Sequence, residues 1–250
     1  MAFSYTETWN EAVRMMRREG SALTAVAGVF MFLPALLLAY FAPMETGGPL
    51  DWMTLADELT AYYQRNLPWL ALENLASLLG AMTMYRLLLQ QRGATVGGAL
   101  SSAFLLLPAY VVLAILKGVM LSIAFMALIV PAIYLLGRIG TADPIMAAER
   151  SFNPLRALEG SFRLTRGRGW AVAGLFLVVG LTSFVVVWAT TAILGILVVL
   201  AAGQSPFSLL LRDIIAAGLG AAQSTVLIAL AAAIYRMLSA APARVPISGT

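Results

Sequence analysis

Four polar side chains with the potential for chemistry stand inside long apolar stretches or at their ends. Glu73 and Asn74 follow an apolar run that starts at Leu67, whereas Lys117 and Arg212 interrupt two other runs. A carboxylate inside a membrane is costly, usually finds a counter-charge and often marks a transport or proton-relay site. We therefore predict that Glu73 faces the bundle interior within reach of Lys117 or Arg212. A structural ion pair and an ion, proton or headgroup site are both compatible with this pattern.

A second group of charged side chains lies in the long polar segment between Pro131 and Trp170, which carries six arginines. Asn153 and Pro154 provide the cap and the first-turn proline of a predicted helix there. The apolar stripe of that helix comprises Leu155, Leu158, Phe162 and Thr165. Three arginines project away from the stripe, namely Arg156, Arg163 and Arg166. The helix either satisfies the positive-inside rule alone or binds anionic lipid or a protein partner.

Most catalytic chemistry is excluded by the residue types that the chain lacks. It has no histidine and no cysteine, which removes the commonest general base and metal ligand and all thiol chemistry. No phosphate-binding loop and no nucleophile with its base occur in the sequence. We therefore expect no enzymatic activity, no cofactor and no metal. Nucleic acid is not an expected partner, because few aromatic residues lie among the arginines.

The composition predicts an all-α, polytopic membrane helix bundle. Of the 250 residues, 61% are hydrophobic and 11% are charged, against about 45–50% and about 25% in soluble domains. We predict six transmembrane helices arranged as three hairpins, with short interfacial amphipathic helices. The predicted spans cover residues 21–41, 67–89, 99–116, 119–136, 170–191 and 214–238. They form a single membrane domain over residues 1–240, followed by a flexible cytoplasmic tail over 241–250.

Two apolar segments are longer than one crossing requires. Residues 99–136 would form a helix of about 57 Å at 1.5 Å per residue, against a hydrocarbon core of about 30 Å. This segment must therefore fold back, and we place the turn at Lys117 and Gly118. Residues 170–202 also exceed one span, and we end the fifth span near residue 191.

Two polar segments have the apolar periodicity of interfacial helices. The first lies within residues 1–20 and has a stripe of Trp9, Ala12, Val13 and Met16. The second lies before the second span and has a stripe of Trp52, Leu55, Leu59 and Tyr62. Aromatic residues at such positions suit the headgroup layer of a membrane. We expect the second helix to lie on the outer surface.

The distribution of basic residues predicts the orientation of the chain. With six spans, all of the 16 Lys and Arg residues except Arg65, Lys117 and Arg212 fall on the side of the two termini. By the positive-inside rule, both termini and residues 137–169 are then cytoplasmic.

The polar segment carries a motif that resembles the YciC-like bacterial inner-membrane proteins and the related membrane domain found beside some glycerophosphodiester phosphodiesterases. The motif residues are Pro131–Tyr134, Arg138, Pro144–Glu149, Pro154, Ala157, Leu158, Ser161, Leu164 and Thr165. The resemblance covers nearly the whole chain and implies a multi-pass protein of the bacterial inner membrane, but little chemistry. The histidine-containing metal site of the phosphodiesterase has no counterpart in a chain without histidine.

Two functions are compatible with these features. The first is a non-enzymatic integral protein of envelope or lipid homeostasis, acting as a scaffold or partner subunit, with membrane lipids, anionic ones among them, and a protein partner or a second copy as its partners. The alternative is a transporter or lipid-moving protein with an outer-leaflet polar site at Glu73. Similar hairpin starts, AVAGVF at 25–30 and AVAGLF at 171–176, favour the alternative. A water-filled cavity that contains Glu73 would favour transport, and a dry, closed bundle would favour the scaffold.

Overall fold

A computed structural model describes residues 3–43, 52–90, 95–203 and 205–240, and all regular structure in these ranges is helical. The predicted tail over 241–250 lies outside the described residues. The helices are α1 Tyr5–Arg18, α2 Gly20–Ala27, α3 Leu33–Phe41, α4 Trp52–Leu89, α5 Val96–Ala127, α6 Ile129–Ile139, α7 Ala142–Glu149, α8 Pro154–Leu164, α9 Gly169–Ala202 and α10 Pro206–Ser239, and a π-helical turn, Gly28–Phe32, joins α2 to α3. The predicted all-α class is confirmed.

Four helices in the described ranges are long and apolar enough to cross a membrane. They are Gly20–Phe41, Val96–Ala127, Gly169–Ala202 and Pro206–Ser239. The first of them agrees with the predicted span over 21–41. α4 is longer but less apolar, because its first half is polar and Glu73 and Asn74 interrupt its second half. The chain is therefore a membrane protein by length and composition of its helices.

The predicted N-terminal amphipathic helix is α1, and it packs against the end of α10. The Ser4 hydroxyl caps it by accepting a hydrogen bond from a backbone N–H of its first turn. Ala12 and Met15 are buried on its inner face. Glu11 forms an ion pair with Arg236 of α10 at 2.8 Å. The two ends of the described chain therefore lie at the same end of the bundle.

A wide π-helical turn divides the first apolar helix. The backbone N–H of Leu33 donates to the carbonyl of Gly28, so the turn contains one residue more than an α-helical turn. Pro34 follows immediately; its ring lacks an N–H and crowds the preceding turn of an α-helix. The turn packs closely on α4, where a Cβ added at Gly80 would lie 2.6 Å from the Cβ of Phe30.

The prediction of a separate surface helix before the second span is wrong. The stripe that starts at Trp52 belongs to the first part of α4, which runs without a break through Pro68 to Leu89. Two contacts with the end of α3 stabilise this continuation. The Tyr62 hydroxyl donates to the carbonyl of Ala42 at 3.0 Å, and Trp69 stacks on Phe41 with ring centroids 4.7 Å apart. A single proline costs one backbone hydrogen bond, and these contacts offset it.

The turn predicted at Lys117 and Gly118 is also wrong, because both residues lie inside α5. The chain instead breaks at Leu128, whose backbone is extended (φ −174°, ψ 153°). Lys117 contacts Asp143, so α6 must run back along α5. Residues 119–136 are thus divided between two helices, and the eleven residues of α6 extend only about 16 Å.

The helix predicted after Asn153 exists as α8, and its buried face overlaps the predicted stripe in part, since Leu158 and Thr165 are buried but Leu155 is not. The Asn153 side chain accepts hydrogen bonds from the backbone N–H groups of Leu155 and Arg156, as expected of a cap. α8 packs on α5, α6 and α7. Leu155, assigned to the buried stripe, is 63% exposed, whereas Ser161 is fully buried and donates to the carbonyl of Arg138 at 2.7 Å. The small side chains permit close packing, so protein covers this face.

The last two helices are longer than predicted. α9 continues past residue 191 to Ala202, and α10 starts at Pro206 rather than at residue 214. Gly203, with a positive φ of 65°, ends α9. Ser205 begins α10 with a capping box. α9 and α10 pack on each other, and most of the outer surface of α9 is exposed apolar side chain.

The core of the bundle is concentrated in the half nearer the termini. Met82, Met84, Leu87 and Leu88 of α4 are at most 2% exposed there. The residues of Ile228–Ile234 of α10 are at most 7% exposed. Toward the opposite end, the facing side chains of α3 and α10 are mostly alanine and glycine. The bundle is therefore tightly packed at one end and open at the other.

We predict that replacing Gly137 by alanine destabilises the bundle where α6 and α9 meet. A Cβ at Gly137 would lie 2.5 Å from the Gly169 carbonyl oxygen and 2.6 Å from the Ala173 nitrogen, so backbone must move. Overpacking of this kind costs about 1–3 kcal/mol, which thermal unfolding in detergent would report. Gly118→Ala is the matched control, because nothing lies within 4 Å of its added Cβ. Equal midpoints for the two variants would contradict the close α6–α9 contact.

Candidate functional site

A cavity of about 420 Å³ lies between the π-helical turn, α3, α4 and α10, toward the open end of the bundle. We call it the acidic groove, because its charged lining residues are Glu73 of α4 and Asp213 of α10. Its other lining residues are Met31, Ala35, Ala39, Ser77, Ala216, Ala217, Gly220, Ala221, Gln223 and Ser224. The prediction that Glu73 faces the interior of the bundle agrees with this placement.

The groove exists because one face of α10 carries only small and polar side chains. From Asp213, residues three, four, seven, eight and eleven positions further along all line the cavity, and this spacing defines one helix face. Alanine and glycine on that face leave the space unfilled, and Ala35 and Ala39 do the same on the facing wall of α3. Small residues usually bring membrane helices together, whereas here they border a space.

The two carboxylates of the groove have no basic partner in the described part of the chain. The Ser77 hydroxyl donates to a Glu73 carboxylate oxygen at 3.0 Å. None of the ion pairs between described residues includes Glu73 or Asp213, and no lining residue is basic. Both side chains are half-buried. The groove therefore presents negative charge that the described residues do not neutralise.

Amide and hydroxyl groups complete the polar lining. The Gln223 amide donates to the Ser183 hydroxyl of α9 at 3.4 Å, which ties this wall to the neighbouring helix. Asn74, by contrast, is exposed and donates to the carbonyl of Leu70 at 2.8 Å within its own helix. Asn74, which we predicted as part of the site with Glu73, does not line the groove.

The predicted ion pair between Glu73 and Lys117 is wrong. The Lys117 ammonium instead contacts the carboxylate of Asp143, at the start of α7, at 2.5 Å. The side chains are 20% and 14% exposed, respectively, so the pair is mostly enclosed by protein. Because α6 folds back, a cation in the middle of α5 meets an acid that lies 26 residues further along the chain.

Arg212 lies on a different side of α10 from Asp213. Its side chain packs against Gly195 of α9, where an added Cβ would lie 3.6 Å from the Arg212 Cδ. It does not line the acidic groove, and no ion pair between described residues joins it to Glu73. Consecutive helical residues are rotated by about 100°, so one α10 turn presents an acid and a base to different neighbours.

Arg86 is a buried cation near the end of the predicted span over residues 67–89. It is 4% exposed, and its Nη1 donates to the carbonyl of Ala147, near the end of α7, at 2.9 Å. Its Nε and Nη2 have no hydrogen-bond partner within the described ranges. The C-terminal ends of α4 and α7 carry partial negative charge from their helix dipoles, and both stabilise a guanidinium at this position.

The three predicted site arginines, two on α8 and one just beyond its end, remain on the surface. Arg156, Arg163 and Arg166 are exposed, and the ion pairs found in the described ranges include none of them. Arg138 instead places its guanidinium over the Phe162 ring, 5.1 Å from the centroid. The predicted lipid or partner role of the three arginines stays a prediction.

The acidic groove has the size and charge of a binding site for a cationic ligand. Its volume lies within the range of about 300–1,000 Å³ that is usual for small-molecule sites. No group of three or more metal-ligating side chains occurs in the described ranges, and two carboxylates with hydroxyl and amide groups suit an organic cation.

Comparisons with models of protein families, with curated proteins and with solved structures find no match to this chain. The motif residues that we compared with the YciC-like proteins have structural roles here. Ser161 and Thr165 of the motif both donate to the Arg138 carbonyl, at 2.7 and 3.4 Å. The motif thus holds α8 against the end of α6 and does not reach the acidic groove.

We expect Lys117 and Asp143 to be energetically coupled. Lys117→Met or Asp143→Asn alone leaves the other charge without a partner and costs about 3 kcal/mol, the lower end of the range for broken buried pairs. The double variant should lose clearly less than the sum, which unfolding in a denaturing detergent would measure. As a control, the effects of Lys117→Met and Glu73→Gln should add. Coupling of Lys117 to Glu73 instead of Asp143 would contradict the observed pairing.

Proposed function

We propose that this protein is a non-enzymatic carrier or binding protein of the membrane that takes a small organic cation, or the amine head of an amphiphile, into the acidic groove. The observation that supports this proposal is the placement of Glu73 and Asp213, from two different helices, on one cavity with no basic lining residue. This proposal corresponds to the transporter alternative that the sequence suggested. It adds that the ligand is positively charged.

Electrostatics supports a cationic ligand. Two carboxylates in a low-dielectric site repel each other and cost free energy unless a positive charge or water joins them. Elsewhere in the bundle, the enclosed acid Asp143 has its cation in Lys117. The groove has none among the residues that the structure describes, so a ligand that supplies the charge gains binding energy there.

The binding test uses two ions of similar shape and opposite charge. Purified protein in detergent should bind tetraphenylphosphonium at least about tenfold more tightly than tetraphenylborate, equivalent to about 1.4 kcal/mol. Glu73→Gln combined with Asp213→Asn should remove this preference. Equilibrium dialysis with each ion would measure both affinities.

Glu58→Gln is the control for the binding test, because Glu58 is an exposed carboxylate on the same helix as Glu73. This control should keep the preference for the cation. Equal affinity for the two ions in the unmodified protein, or an unchanged preference in the Glu73/Asp213 variant, would reject the proposal. Uptake of the cation into proteoliposomes would then separate a carrier from a binding protein.

We also propose that the chain crosses the membrane an even number of times, with both termini in the cytoplasm of a bacterium, in the inner membrane. The pairing of Glu11 with Arg236 at 2.8 Å supports placement of the termini on one side. The excess of basic residues near α1, α8 and the end of α10 supports the cytoplasmic assignment. The resemblance of the central motif to the YciC-like proteins supports the inner membrane.

Single cysteines test this topology, because the chain has no native cysteine. Glu58→Cys on α4 should react with a membrane-impermeant thiol reagent in intact cells, and Glu159→Cys on α8 should react only after permeabilisation. Both positions are exposed in the structure, so lack of reaction reports the membrane and not burial. Reaction of Glu159→Cys in intact cells would overturn the cytoplasmic assignment.

A scaffold or partner subunit in envelope or lipid homeostasis is the second candidate function. The observation that favours it is the row of three exposed arginines on α8 and just beyond its end, which described acidic residues do not pair. Such a surface is suited to anionic lipid or an acidic protein segment. Binding of a cation in the groove and docking at α8 use opposite ends of the bundle and are compatible.

A further inference from the structure

A second cavity, of about 450 Å³, lies on the other side of α10 from the acidic groove. Its apolar wall is one face of α9, from Trp188 through Gly195 to Leu200, and its single charged lining residue is Arg212 of α10. We call it the α9 groove. It follows the helix axis for about 18 Å at 1.5 Å per residue, which is the extent of an extended hydrocarbon chain of moderate length.

Arg212 supplies the groove with a positive charge that is available to a ligand. The stem of its side chain packs beside Gly195, where an added Cβ would make an ordinary van der Waals contact with the Arg212 Cδ at 3.6 Å. The side chain is exposed, and none of the ion pairs in the described ranges contains it. Its neighbour Asp213 lines the acidic groove instead, so the adjacent acid faces another cavity.

The position of Arg212 along the helix matches the level of a lipid headgroup. Arg212 is the seventh residue of α10, which starts at Pro206, so it lies about 9 Å from the helix start. Amphipathic elements in this layer reach about 5–10 Å into the boundary between headgroups and acyl chains. A guanidinium at this depth binds a phosphate by charge-assisted hydrogen bonds.

A buried hydroxyl in the same wall also lacks a partner. Thr191 lines the α9 groove, and its Oγ1 is buried without a hydrogen-bond partner in the described part of the chain. Buried hydroxyls are rarely left unpaired. Because Oγ1 itself is covered by protein, an ester or phosphate oxygen in the groove would reach it only after the Thr191 side chain rotates.

We infer that the α9 groove is a binding site for one anionic phospholipid, with an acyl chain along α9 and the phosphate at Arg212. The charge complementarity favours this class of ligand, because the groove has one cation, beside Gly195, and mainly apolar side chains along the α9 wall on both sides of it. A helix from a second copy of this chain would place apolar side chains against Arg212 and leave its charge without a partner. The inference does not depend on the cation proposed for the acidic groove.

The test is native mass spectrometry of the protein released from nanodiscs that contain equal amounts of phosphatidylglycerol and phosphatidylcholine. The unmodified protein should retain phosphatidylglycerol preferentially, with one lipid held to higher activation than the others. Arg212→Gln should lower the occupancy of that lipid about fivefold, and Arg212→Lys should lose less, because lysine keeps the charge but not the paired donors.

Two further variants separate the site from general surface charge. Arg65→Gln removes another exposed arginine, on α4, and should leave the retained lipid unchanged. Ala192→Phe fills the apolar part of the groove and should displace the lipid while Arg212 stays in place. Thermal unfolding of each variant checks that the bundle is intact.

Equal retention of the two lipids by the unmodified protein would overturn the inference, as would unchanged retention in both Arg212→Gln and Ala192→Phe. A dimer mass in place of a lipid adduct, lost in Ala192→Phe, would show that a second copy covers the groove instead. Neither variant should change tetraphenylphosphonium binding. The combined Glu73→Gln and Asp213→Asn variant should in turn keep its lipid, so the two sites can fail independently.

Discussion

A charge enclosed in a membrane protein needs a counter-charge, a helix end or water, and this constraint determines much of the bundle. Lys117 lies in the middle of an apolar helix and meets Asp143 at 2.5 Å. For these two side chains to meet, the chain must reverse at Leu128 and bring α7 into the bundle against α4. The tight half of the core, with α7 and α8 packed inside it, therefore depends on one pair of opposite charges.

In the open half of the bundle, charged side chains of the described residues line cavities instead of forming ion pairs with each other. Glu73 and Asp213 line a space, and Arg212 faces a second space from the same turn of α10. Alanine and glycine leave the acidic groove open, because these small side chains do not fill the distance between α3, α4 and α10. α10 thus separates a negative cavity from a positive one, and each side has the opposite charge to the ligand that it suits.

The sequence predicts what depends on local pattern and misses what depends on distant partners. The amphipathic α1, the first span and the Asn153 cap agree with the structure, since each rests on residues within a few turns. Lys117 was assigned to a turn because it lies midway along an apolar segment that is too long for one crossing, and nothing nearby in the sequence shows that Asp143 pairs with it. Asp213 was missed, although the small residues that follow it at helical spacing on α10 indicate the face that lines the groove.

The π-helical turn at Gly28–Phe32 determines which side chains the second part of the first apolar helix directs toward its neighbours. Its additional residue rotates everything after it by about 100° relative to an uninterrupted α-helix. Met31, within the turn, and Ala35 and Ala39, beyond it, all border the acidic groove. If the turn rewound into a regular α-helix with all of its residues kept, the helix would stay apolar and long enough to cross the membrane, but Pro34 would take the direction that Ala35 now has. The lining of the groove therefore depends on one wide turn of the backbone, in a segment that carries no charge.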